Sequence, residues 1–202
     1  MGFSLPGLAI CDTHDRPKNP EWWSIMFVGG FKTERAKDRR YVATDNVRRI
    51  QEITGWMVEK FTRFKVTHCV VELPNSGAKS SNAAKAMALA TGQVAAMLVA
   101  LKIQAHYYLP HQTKQFCTGN KDAEKPAMIA AAESVWEIQW PKKSRQIKNR
   151  SPIDVKQQEA ISDALCALIT YAKNPKTSIQ FLQPLLELPA SVDQAIHTAL
   201  PQ

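Results

Sequence analysis

The chain has 202 residues, is 45% hydrophobic, and carries a formal charge of +8 with a pI of about 9.4. A chain of this size buries one sizeable core, and its surplus of lysine and arginine points to an anionic partner, nucleic acid first. Its four cysteines, Cys11, Cys69, Cys117 and Cys166, stand far apart with no Cys-x-x-Cys pair, which argues against a disulfide scaffold or a zinc site and for a reducing compartment.

No basic segment followed by an apolar core opens the sequence, so a cytoplasmic location is expected. Residues 7–11 form a short apolar run ending at Asp12, and residues 22–28 form a second. A charged segment with Pro17 and Pro20 separates them, which predicts a β-hairpin on a long loop. Gly29 and Gly30 are expected to weaken the second strand's end. Lys32, Arg35, Lys37, Arg39 and Arg40 then make a basic stretch, either a solvated loop or one that contacts phosphates. Thr44 or Asp45 is expected to cap a helix running to about Phe64. Val47, Ile50, Ile53, Met57, Phe61 and Phe64 recur along it at helical spacing.

Cys69, Val70 and Val71 read as a strand buried on both faces, closed by Pro74 and the turn formers Asn75, Ser76 and Gly77. This strand ends in Glu72. A charge there is costly unless it is paired or holds a metal, and sites in open α/β sheets gather where strands end. Asn82 is expected to cap an alanine-rich helix over residues 83–102. Lys85, Thr91, Gln93 and Lys102 interrupt it, so it reads as a buried helix with no membrane contact. Its small residues suit either central burial or a second subunit.

Residues 103–109 predict a further strand, residues 111–119 a helical segment and residues 122–136 a helix. Residues 140–152 hold Lys142, Lys143, Arg145, Lys148 and Arg150 and read as a basic loop, with DNA contact favoured over solvation. Residues 155–172 form the last strong helix, and residues 174–202 are a tail. This order predicts an α/β fold, a mixed sheet flanked by helices.

On the last helix Glu159 and Asp163 lie four residues apart, and so on one face. Two carboxylates beside apolar neighbours repel unless a cation lies between them. With Glu72 across the sheet, the three would suit Mg2+ or Mn2+. This is the layout of two-metal phosphodiester hydrolysis, with ions roughly 4 Å apart. The plainer reading leaves Glu159 in solvent and Asp163 paired with a lysine.

Five pieces occur in order: V-V-E-L-P-N-S-G at 70–77, A-T-G-Q-V-A-A at 90–96, Y-L-P-H-Q-T-K at 108–114, T-G-N-K-D-A-E-K at 118–125 and D-A-L-C-A-L at 163–168. The ordered set, over about residues 2–173, resembles the RuvC-like Holliday junction resolvases of the ribonuclease H-like superfamily. The resemblance implies a homodimeric, metal-dependent crossover junction endodeoxyribonuclease that cuts four-way or other branched DNA in recombination or repair. It implies four acidic ligands. Glu72 matches the second and Asp163 the last. The third lies three residues before the last, where this sequence has Ala160, and Glu159 is the acid in reach. Lys114 and Lys125 match basic positions near the scissile phosphate. Lys79 joins the basic loop as a DNA contact, and the alanine-rich helix would form the dimer interface.

The first acid of the family ends a first strand. Here M-G-F-S-L-P-G-L-A-I-C at 1–11 matches the turn and second strand that come after that acid, so residues 1–173 are expected to be an N-terminally incomplete nuclease domain. Taking Asp12 as the first acid would leave the strand count one short. The resemblance leaves two readings: a nuclease, or a catalytically incomplete protein of the same fold that binds branched DNA.

Overall fold

Among the described residues, two strand pairs and five α-helices make up the fold. The computed structural model describes residues 6–14, 18–34, 42–74, 81–138 and 155–175. In chain order the elements are β1 (Gly7–Asp12), a 3-10 turn (Pro20–Trp22), β2 (Ser24–Gly30), α1 (Val42–Arg63), β3 (His68–Glu72), α2 (Ser81–Ala100), β4 (Gln104–Tyr108), α3 (Pro110–Thr118), α4 (Lys125–Trp136) and α5 (Val155–Lys173).

β1 and β2 pair antiparallel, with Ala9 opposite Val28 and Ile10 opposite Phe27. A bulge between Ile10 and Cys11 then shifts the register, so that Cys11 faces Ile25. The extra residue reverses the side-chain alternation of β2. As a result Ile25 and Val28 turn to the same side while Phe27 turns to the other. β3 and β4 pair in parallel, from His68 opposite Gln104 to Glu72 opposite Tyr108. Among the described residues the strands form two separate two-stranded sheets, where one mixed sheet is expected from the sequence.

Helices cover both faces. Leu8 and Ile10 of β1, with Cys69 and Val71 of β3, pack against Phe61 of α1 and Met97 and Leu98 of α2. On the opposite face Ala9, Ile25 and Val28 meet Ile161, Leu165 and Ile169 of α5, which also packs on Met128 and Ala132 of α4. The start of β1 presses directly on α5: a Cβ added to Gly7 would stand 1.8 Å from the Ala160 carbonyl oxygen. Only glycine allows that approach. Tyr108, fully buried, donates from its hydroxyl to the Asn174 carbonyl at 2.8 Å and ties β4 to the end of α5.

Several local expectations change. Asp45 does not cap α1. It lies inside the helix, buried, and accepts a hydrogen bond from Arg48 at 2.6 Å. Trp22 belongs to the 3-10 turn and β2 runs through Gly29 and Gly30 to its end, because both glycines are held opposite Leu8 and Gly7. α2 begins at Ser81, ahead of Asn82. It is not a centrally buried helix, since Leu89 and Val99 are about half exposed at 50% and 46% while Met97 and Leu98 are in the core. Small side chains let a helix pack closely but do not dictate what covers each face.

Candidate functional site

β3 alternates. Cys69 and Val71 turn toward α1 and α2, and period two sends Val70 and Glu72 to the face that holds α3 and α5. Leu73 donates its N–H to the Tyr108 carbonyl at 2.8 Å, so the ladder holds Glu72 up to the point where the strand ends. α3 starts there because Pro110 supplies a preset first-turn residue after the extended Leu109. The Gln112 side chain closes that turn by accepting from the Leu109 N–H at 2.8 Å. One further residue along, the fully buried Thr113 hydroxyl hydrogen-bonds Glu72.

Burial pushes the Glu72 carboxyl up to about 7, and the nearby Asp163 pushes in the same direction. The Thr113 hydrogen bond and the Lys114 charge pull it back only in part. Asp163, on the face of α5 next to Ala160 and Ala164, is likewise raised, first by burial and then by Glu159, against the pull of Lys125 and Lys114. Glu159 itself forms an ion pair with Lys125 at the start of α4. Beneath the acids, Cys166 is hydrogen-bonded to Cys117, which, with burial, holds its thiol protonated.

The structure therefore brings Glu72, Asp163, Glu159, Lys114 and Lys125 to one place at the end of β3. Thr113 belongs with them, a residue that sequence reasoning misses. Its only signal is its place beside Lys114 in the Y-L-P-H-Q-T-K stretch. Asp12 does not belong: it lines one cavity with Lys65, Val66 and Thr67, whereas Glu72 and Asp163 line another with Ile53 and Met57. Lys79, Lys142, Lys143, Arg145, Lys148 and Arg150 lie outside the described residues.

As a metal centre this donor set is short. Among the described residues no group of three or more His, Cys, Asp or Glu is placed to hold an ion. Glu159 is engaged by Lys125, which leaves Glu72 and Asp163 as two oxygen donors. Their mutual repulsion suits a cation, but two carboxylates do not make the four-acid site of a two-metal nuclease. What the arrangement offers is two partly buried acids, both lining a cleft, with Lys114 and Lys125 close enough to act on their charge.

No family model and no curated protein matches the chain. Solved structures do. The T. thermophilus RuvC in complex with a Holliday junction substrate aligns with a TM-score of 0.65 at 18% identity, over 89% of this chain and 94% of that one. A second Thermus thermophilus RuvC structure aligns with a TM-score of 0.58 at 17% identity, over 87% and 91% of the two chains. The chain thus has the mixed α/β architecture, strands between layers of helices, of the ribonuclease H-like fold seen in the RuvC-family resolvases.

Proposed function

We propose that this protein binds branched DNA, four-way junctions foremost, with the face at the end of β3, and that its described residues hold only part of a metal centre. The observation that carries this reading is the grouping at one site of Glu72 and Asp163 with Lys114 and the Lys125–Glu159 ion pair, where among the described residues no group of three or more His, Cys, Asp or Glu is placed to hold an ion. The charge of +8 supports it, as does a fold shared over 89% of the chain with a protein solved on a junction substrate.

Each lysine that meets a phosphate releases condensed counterions, so binding should weaken steeply with salt. Gel-shift titration on a labelled four-way junction and a matched linear duplex tests this. The junction should bind more tightly, and replacing both Lys114 and Lys125 by alanine should lower the slope of log K against log salt by about 2. Equal affinity for junction and duplex, with an unchanged slope in the double variant, would sink the reading.

A second reading is favoured by the convergence of Glu72 and Asp163 at a strand end: a crossover junction endodeoxyribonuclease using Mg2+ or Mn2+. It needs at least one more ligand, so no hydrolytic step is assigned to these two acids. Including either metal in the same assay separates the readings. Junction cleavage abolished by Glu72→Gln would establish the nuclease, and binding without cleavage the binder. In both readings the protein acts as a homodimer through residues 83–102.

A further inference from the structure

We infer that the Lys125–Glu159 ion pair is a latch that DNA phosphate opens. Phosphate and the Glu159 carboxylate compete for one ammonium group, and the exchange frees Glu159 to face a divalent cation beside Glu72 and Asp163. The latch rests on the reading that DNA meets this face, and it accounts for a donor set that is short.

The two partners are held unequally. Lys125 opens α4 with its side chain 64% exposed, while the Glu159 side chain on α5 is 22% exposed. An ion pair with one partner in solvent is worth only about 0–1 kcal/mol. A phosphate arriving from solution can reach that lysine, and its oxygens make the same kind of charge-assisted hydrogen bond as a carboxylate. Glu159 is thus a built-in competitor for any phosphate that Lys125 meets.

The neighbours of Glu159 decide what its release does. It stands one turn before Asp163 on α5, on the same face of the helix. The charges already act on one another: Glu159 raises the Asp163 carboxyl and Lys125 draws it down. Asp163 in turn raises Glu72. Lys125 therefore neutralises one edge of a set of three carboxylates. When phosphate takes Lys125, the three are left to repel one another. A hard divalent cation relieves that repulsion, since it takes oxygen donors of this kind. While Lys125 engages Glu159, no three such groups among the described residues are placed to hold an ion. Phosphate and cation each remove the other's obstacle, and the coupling is equal in both directions. Its sign is unusual. Added salt ordinarily weakens DNA binding by competing for the phosphates, whereas here a divalent cation strengthens it.

Manganese binding to the free protein, read from the paramagnetic resonance of unbound Mn2+, tests the latch without DNA. Lys125→Met imitates the state in which phosphate has taken the lysine. It should bind Mn2+ about tenfold more tightly than the parent, within the usual range for coupled sites. Adding Glu159→Gln should abolish that gain, and Lys121→Met, which removes a lysine charge outside the pair, should give none. A Lys125→Met protein no tighter than the parent, or a gain matched by Lys121→Met, would overturn the latch. Gel shift on the four-way junction at fixed ionic strength tests the trigger, with Ca2+ as the oxygen-seeking cation. Ca2+ should tighten junction binding of the parent about fivefold or more and that of Glu159→Gln not at all. Ca2+ that weakens both alike would overturn the coupling and leave DNA binding in place. A parent that binds no DNA would instead overturn the DNA reading, and the phosphate trigger with it.

Discussion

Burying Glu72 makes stability depend on pH. The carboxyl has an ordinary value of 4.5 and is held at about 7 in the folded chain, by burial first and by Asp163 next. Between those values the folded state binds more protons than the unfolded one, so stability falls as pH rises. The contribution is complete below pH 4.5 and is lost as pH passes through about 7. The full swing is on the order of 3 kcal/mol. Asp163 is shifted the same way and adds to it. We expect Tm to fall from pH 5 to pH 8, and Glu72→Gln, which removes the titration, to flatten that fall. Parallel profiles for the two proteins would show that Glu72 is not desolvated. Thr113→Val tests the one hydrogen bond that favours the charged form. Its loss should raise the Glu72 carboxyl further and cost about 1 kcal/mol more at pH 8 than at pH 4.

Among the elements, β1 and α5 meet most closely at Gly7 and Ala160. A Cβ at Gly7 collides with backbone, which cannot swing aside as a long side chain would. Gly7→Val should therefore push β1 off α5 and cost about 2 kcal/mol, a drop in Tm of roughly 4–8 °C. A thermal melt within 1 °C of the parent would show that the approach is not needed. The elements around the site are legible where the signal is local. The Cys69–Val71 run closed by a turn marks β3, and the four-residue spacing of Glu159 and Asp163 marks one face of α5. Lys114 and Lys125 emerge from the order of the motifs, since a lysine on a helix carries no pattern of its own. Thr113 is invisible for the same reason. Asp45 has the chemistry of a cap, but Arg48 satisfies it inside the helix instead. That the described strands pair as two separate two-stranded ladders cannot be read from sequence, because pairing joins residues far apart in the chain. The burial of α2 is misjudged from composition, which tells how closely a helix can be approached and not by what.

For the molecule as a whole, α2 is the surface left to explain. Residues 83–100 are long and apolar enough to cross a membrane, and only 11% of that stretch is buried in the fold. Lys85, Leu89, Gly92, Ala96 and Val99 lie at spacings of three and four residues, which sets them along one side of the helix. Gly92 and Ala96 at its centre let a second helix come close, while the exposed Leu89 and Val99 flank them with area to bury. A membrane would cover this stripe poorly, since Lys85 and Gln93 would have to enter it. A second copy would cover it by symmetry, with the same patch on both partners. We expect the protein to sediment at twice 22.6 kDa. Leu89→Lys with Val99→Lys places four like charges in the two-fold contact and removes apolar area worth about 1.5–3 kcal/mol per side chain. Dimer dissociation should rise by at least a hundredfold, with the circular dichroism spectrum unchanged because neither residue is in the core. A parent that sediments at 22.6 kDa across the micromolar range, or a variant that still dimerises, would take the interface away from α2. Co-sedimentation of the parent with neutral lipid vesicles would give the stripe to a membrane instead.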